Sequence, residues 1–261
     1  MNTLDLFSLK GKTAVVTGGC GHLGRAMVSA LKDGGASVFV AGTNHDKFVS
    51  VFGEDTDLRF VKIDIMDTHS IKNAFAEISN QSGGIIDILI NCAAQYAGIG
   101  KRSEDLTDEE WDKCYEGIAG STYKCIREVL PYMKEGGSII NIGSMYGKVV
   151  PHLSVYETPC ESSLIPVTYC AGKASVIELT ERLGRSLIER GIRVNCISPG
   201  PFPATTVNEV NELAKRLKDR SPSKRLGEPE ELRGAVLFLA SDASKAVVGQ
   251  NIQVDGGWTL W

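Results

Sequence analysis

No apolar run in this sequence of 261 residues approaches the roughly 20 residues that a membrane-spanning helix needs, so no segment reads as such a span. The opening stretch, MNTLDLFSLKGK, has neither a basic start nor a long apolar core, so no secretory leader is read there and the expected location is cytoplasmic. An excess of positive charge is missing too. Lys and Arg number 28 against 32 Asp and Glu, and a net charge of -4 without a basic stripe argues against nucleic acid or an anionic membrane as partner. The seven cysteines, Cys20, Cys92, Cys114, Cys125, Cys160, Cys170 and Cys196, form an odd set with no C-x-x-C pair, which points to reduced thiols and to no metal site. Repeats and low-complexity stretches are also absent. What remains is an ordinary globular composition, 43% hydrophobic and 23% charged, able to bury a core and to act on a small molecule.

Short β-rich runs alternate with helical patterns along the chain. KTAVVT, ASVFVAG, LRFVKID and IDILINCAA read as strands, with helices over Gly24–Lys32 and Ser70–Ile78 between them. The Thr107–Glu110 spacing is that of a capping box and predicts a long helix to about Met133. GSIINIGS, a helix over Thr168–Ile188, IRVNCISPG, helices near Glu209–Lys218 and Pro229–Ala240, and a last strand in GQNIQVDGG complete the series. Seven strands separated by helices predict one α/β domain over residues 1–261, a doubly wound Rossmann-like fold with a parallel seven-stranded sheet covered on both faces. Ligands of such sheets sit beyond the carboxyl ends of the strands, which selects Gly18 to Gly24, Gly42–Thr43, Asp64, Asn91 to Ala94, Gly143–Ser144 and Pro199–Gly200.

Two patterns in that set carry chemistry. Gly18, Cys20, Gly21, His22, Leu23 and Gly24 follow the first strand and open the first helix, the setting in which glycines let backbone N–H groups approach a pyrophosphate. Tyr169 and Lys173 stand four apart near the start of a helix and so share a face. A free phenol titrates near 10 and is poorly matched to neutral pH, but a nearby ammonium favours its phenolate, and a shift of roughly three units corresponds to about 4 kcal/mol. Such a pair suits proton transfer during the interconversion of an alcohol and a ketone.

With these features the sequence resembles the short-chain dehydrogenase/reductase family, simple type, from Lys12 to Gly257. The resemblance implies an NAD(P)(H)-dependent oxidoreductase in which Tyr169 is the general acid/base and Ser144, at the end of the fifth strand, binds the substrate oxygen. It assigns Lys173 to the ribose hydroxyls, Asp64 with Ile65 to the adenine edge, Asn91 and Ala93 to the strand-end turn, and Thr43, Pro199 and Gly200 to the cofactor. Arg193-Val194-Asn195 and Val254-Asp255-Gly256-Gly257 match further signatures. Tyr146 and Tyr156 are expected at the substrate, and a homotetramer or dimer is expected from the long helix and the tyrosine helix. At the end of the second strand neither an acid nor an Arg follows Gly42, while Thr43, Asn44, His45 and Lys47 offer donors, so NADP is favoured over NAD.

Four departures bear on function. Gly18, Gly21 and Gly24 follow the spacing of the extended, nucleotide-sugar members, and His22 replaces the middle glycine of the simple type. Ala94 stands where the family's N-N-A-G turn has glycine, which requires a negative φ. Ile118 occupies the place of a proton-relay Asn, so the relay is expected to run through Ser121 or solvent. Ser144 and Tyr169 are separated by 25 positions, more than the family pattern, and the extra stretch within Tyr146–Val167, with His152, Glu157 and Glu161, is expected to wall the substrate. The leading reading is a dehydrogenase/reductase of a polyol, sugar acid or sugar derivative. A nucleotide-sugar epimerase or dehydratase and a nucleotide-sensing protein with a degenerate site are the alternatives.

Overall fold

In a computed structural model, residues 2–54, 56–158, 160–203 and 212–260 are described. Seven strands, β1 (Thr13–Thr17), β2 (Ser37–Gly42), β3 (Arg59–Lys62), β4 (Ile88–Asn91), β5 (Ser138–Ile142), β6 (Arg193–Pro199) and β7 (Asn251–Val254), form one sheet in the order β3-β2-β1-β4-β5-β6-β7. Every pairing is parallel. The doubly wound sheet expected from the alternating pattern is thus present, and its order reverses between β1 and β4.

Alternate residues of each strand face opposite layers, and both layers are apolar because helices cover both faces. Ala14, Val16, Val38, Val40, Ile88 and Ile90 pack with α1 (Gly24–Asp33), α2 (His45–Phe52) and α8 (Arg233–Ala240). Val15, Phe39, Val61, Leu89 and Ile139 pack on the other side with α3 (Thr68–Gln81), α5 (Ser121–Val129) and the end of α6 (Val167–Leu187). No helix among the described residues is long and apolar enough to cross a membrane.

The single long helix expected from Thr107 is divided. Thr107 and Glu110 do form the reciprocal cap of α4 (Asp108–Tyr115), but a π turn at Glu116–Gly120 separates α4 from α5. At this turn Gly117 runs against the backbone of Gln95, whose amide donates to the Gly117 carbonyl at 3.1 Å. The carbonyls loosened by the wider turn are taken by hydroxyls, Ser121 Oγ on Gly117 at 2.9 Å and Thr122 Oγ1 on Ile118 at 2.7 Å. α2 has no counterpart in the sequence reading; the Asn44 side chain caps it by accepting from the Lys47 amide at 2.9 Å. The helix expected over Glu209–Lys218 is observed as α7 (Glu212–Arg220), positions 209–211 lying outside the described residues.

Candidate active site

The ends of β1, β2, β4, β5 and β6 open into one cavity of about 570 Å³, within the range of small-molecule sites. Its floor is the turn after β1. Gly18 has a φ of +68°, and a Cβ there would lie 2.8 Å from the Cα of Ala93, so only glycine lets β1 and β4 end side by side. Thr17 ties the two ends together: its Oγ1 accepts from the amides of Cys92 and Ala93, both at 3.2 Å, and donates to the Ile90 carbonyl at 3.3 Å. α1 then begins without a side-chain cap, and the N–H groups of Cys20, His22, Leu23 and Gly24 have no acceptor among the described residues. Unpaired amides at a helix N-terminus favour an anion.

Electrostatics point the same way. Among the described residues the lining includes Lys47 and Lys173 and no Asp or Glu. Lys47, in the first turn of α2, has no ion-pair partner among the described residues, and its ammonium acts on the Cys20 thiol across the cavity floor, against the burial that pushes that thiol up. A dinucleotide's pyrophosphate and ribose phosphate therefore fit the groups present: free amides at one end, an unpaired ammonium beside them, and glycines where a Cβ would collide.

At the other end Ser144, Tyr169 and Lys173 share the cavity wall. Lys173 is buried, and its Nζ donates to the Ile142 carbonyl at 2.7 Å. Burial pushes its ammonium below the ordinary range, with the thiols of Cys92, Cys196 and Cys114 acting in the opposite sense. Burial pushes the Tyr169 phenol up, and the Ser144 hydroxyl pulls it back. The Lys173 Nζ stands 5.9 Å from the centre of the Tyr169 ring. Behind this wall a buried polar chain joins strands to helix: Asn91 Nδ2 donates to Asn141 Oδ1 at 2.9 Å, Asn141 Nδ2 to Thr180 Oγ1 at 3.0 Å, and Thr180 Oγ1 to the Val176 carbonyl at 2.8 Å. This chain holds α6 against β4 and β5, and with it the helix that carries Tyr169 and Lys173.

Thirteen of the expected residues line the cavity: Gly18, Cys20, Gly21, His22, Leu23, Gly24, Thr43, Ala93, Ser144, Tyr169, Lys173, Pro199 and Gly200. Five do not. Asn91 is buried behind the turn as part of the polar chain. Asp64 is exposed and accepts from the Met66 amide at 2.9 Å, and Ile65 leans on the apolar layer beneath α3. Tyr146 and Tyr156 are buried and satisfy each other, hydroxyl to hydroxyl at 2.8 Å, within a cluster that includes Leu217 and Trp258. The expected wall is thus packed behind Tyr169, and the outer side of Tyr156 lines a separate cavity of about 490 Å³ with Arg102, Glu157 and Leu164.

The departures resolve individually. Ala94 keeps a negative φ, as the altered turn requires. Ser121 Oγ donates back to the Gly117 carbonyl of the π turn rather than toward Lys173. Ile118 is buried with Cys114, Val176 and Cys196 and touches α6 at Gly172. Sequence reasoning missed two aromatic members of the lining, Tyr96 and Phe202. The Tyr96 ring lies 5.6 Å from that of Tyr169; the available signal was its place in the loop beyond β4.

The family model described as enoyl-(acyl carrier protein) reductase matches residues 21–259. The 2,5-dichloro-2,5-cyclohexadiene-1,4-diol dehydrogenase of Sphingobium indicum is 30% identical over 259 residues, spanning 97% of this chain and 98% of that protein. A short chain dehydrogenase from Leptospira borgpetersenii, solved with bound NAD+, is 31% identical with a TM-score of 0.85 over 99% of this chain and 96% of its own. A gluconate 5-dehydrogenase from Burkholderia cenocepacia, in complex with NADP and tartrate, is 26% identical with a TM-score of 0.85 over the whole of both chains. Full-length similarity in sequence and fold, joined to the cavity at the carboxyl edge of the sheet, makes this chain a member of the short-chain dehydrogenase/reductase family and an oxidoreductase of that type.

Proposed function

We propose that the protein interconverts a secondary alcohol and a ketone on a polyol, sugar acid or sugar derivative, with NADP(H) as the preferred cofactor. One observation carries the reading: a single cavity, with no carboxylate among its described lining residues, joins the glycine turn to Ser144, Tyr169 and Lys173. A bound nicotinamide dinucleotide would supply or accept the hydride. The chain's own groups do the rest. Ser144 holds the substrate oxygen beside the Tyr169 hydroxyl, which gives its proton as the alcohol forms and takes it back in the reverse direction. Lys173 favours the phenolate by its charge, offsetting the burial that otherwise keeps the phenol protonated. The preference for NADP is supported by Thr43, just after β2, and Lys47, in the first turn of α2, both of which line the cavity and offer donors to a 2′-phosphate.

The polyhydroxylated substrate class is supported by the gluconate 5-dehydrogenase relative and by its tartrate ligand. Association is supported by the exposed aromatics Trp111, Tyr115 and Tyr123 on α4 and α5, and we place a subunit contact there. The test is a panel of polyols, aldonates, keto-sugars and 3-oxoacyl thioesters with each nicotinamide, run on the wild type and on Tyr169→Phe. Turnover of a hydroxy acid or sugar, lost in the variant while dinucleotide binding persists, is the expected result. Preference for the thioesters overturns the substrate class; unchanged turnover in Tyr169→Phe overturns the mechanism.

A further inference from the structure

The segment between Ser144 and α6 has no regular framework of its own. It is built from short 3-10 turns at Met145–Gly147, Leu153–Tyr156 and Glu161–Ser163. One side chain from elsewhere holds its middle turn. Arg216 of α7 donates through Nη1 to the Glu157 carbonyl at 2.7 Å and through Nη2 to the Thr158 carbonyl at 2.9 Å. Longer contacts reach the Ser154 and Val155 carbonyls at 3.4 and 3.5 Å, and Nε is fixed by Glu212 at 3.0 Å. A guanidinium presents its five donors in a rigid plane and holds its charge at every accessible pH, so it can gather several carbonyls where an ammonium offers only a flexible point.

The turn held in this way is the base of a platform. Val155 and Tyr156 pack with Tyr146, Leu217 and Trp258, and Tyr169 and Cys170 lean on the same cluster. Tyr156 bonds the Tyr146 hydroxyl, while the Tyr146 amide donates to Ser144 Oγ at 3.1 Å. Ser144 is thus tied to Tyr146 and Tyr169 leans on the cluster around it, and that cluster includes Val155 and Tyr156 of the turn that Arg216 grips.

We propose that Arg216 is a positioning residue, which sets the placement of the Tyr169 and Ser144 hydroxyls by clamping the 153–158 turn to α7. This rests on the assignment of Tyr169 as the proton carrier. Arg216 itself is not among the lining of the dinucleotide cavity, so cofactor capture should be insensitive to it.

Arg216→Met, Arg216→Lys and Tyr156→Phe test the clamp in the full-length protein. Amide exchange over 153–158, dinucleotide Kd, the pH profile of kcat and the titration of Tyr169 by carbon-13 tyrosine NMR, assigned with Tyr169→Phe, are the readouts. Arg216→Met should speed exchange of the turn, leave the dinucleotide Kd within about twofold, lower kcat by about tenfold and displace the Tyr169 titration, since small misplacements of a reacting group are costly. Arg216→Lys should recover only part of the loss. Tyr156→Phe, which breaks the platform while leaving the clamp intact, should displace the same titration. Faster exchange with an unmoved kcat profile and an unmoved Tyr169 titration overturns the proposal and leaves Arg216 a structural tie. If the wild type turns nothing over, the NMR titration still decides whether Arg216 positions the phenol, and the failure belongs to the assigned reaction.

Discussion

Lys173 Nζ donates a 2.7 Å hydrogen bond to the Ile142 carbonyl at the end of β5, and no carboxylate is paired with that ammonium among the described residues. A buried cation without a counter-charge is a stability liability. Its folded-state pKa lies below the ordinary 10.5, so between those two values the unfolded chain binds more protons and stability rises with pH. Lys173→Met removes the liability at the cost of one unpaired carbonyl, worth about 1–3 kcal/mol. The variant should therefore melt a few degrees above the wild type at pH 7, by an amount that shrinks toward pH 10, and should lose turnover. Calorimetry across that range checks it; a lower Tm at pH 7 would show that the Ile142 bond outweighs the desolvation.

Lys47 tests the cofactor assignment. Among the described residues its ammonium has no ion pair and its cavity no acid, and it shares that cavity with the free amides of the glycine turn. If it meets a 2′-phosphate, Lys47→Ala should weaken NADPH by about tenfold, the worth of one charge-assisted contact, and leave NADH within about twofold. Equal losses for both dinucleotides by calorimetry would place Lys47 on the pyrophosphate instead.

Gly18 tests the cradle. Alanine at a φ of +68° costs roughly 1–2 kcal/mol from backbone alone, and its Cβ would press on the Ala93 backbone at 2.8 Å. Gly18→Ala should lower Tm by roughly 5 °C and abolish dinucleotide binding, because separating β1 from β4 opens the floor on which the phosphates would lie. A folded variant that retains its NADPH affinity would mean that the turn is not the phosphate site.

Much of this site was legible from one-dimensional pattern. The alternation of apolar runs gave the sheet, and the sheet rule led directly to the strand ends where thirteen expected residues meet. What pattern could not show was direction and partnership. Tyr146 and Tyr156 flank Ser144 in sequence, yet each phenol found its hydrogen bond in the other and turned inward. Ser121 sits one turn from Ile118, but its hydroxyl was claimed by a carbonyl that the π turn had loosened, and the π turn itself bonds Gln95, far away in sequence. Arg216 carries no motif at all; its role exists only because α7 folds back over the 153–158 turn.

Ile118 is the departure on which the proton route depends. The resemblance puts a relay Asn at this position, whereas here the side chain is buried among Cys114, Val176 and Cys196, and its carbonyl already accepts Thr122 Oγ1 at 2.7 Å. A Cβ built on Gly172 would lie 3.1 Å from the Ile118 side chain, so α6 and the π turn are in close contact with no room for a larger group. Restoring the amide in Ile118→Asn would exchange apolar burial for a polar group among mainly apolar neighbours, about 2–4 kcal/mol in all. The variant should melt roughly 5–10 °C lower and, on the proposed route through the cavity that Tyr169 and Ser144 line rather than through the helix, should not turn over faster. Single-turnover proton release, followed with a pH indicator, separates the routes. A rise in kcat with Tm unchanged would mean that the helix side is open to water and that Ile118 restricts a path the fold still contains.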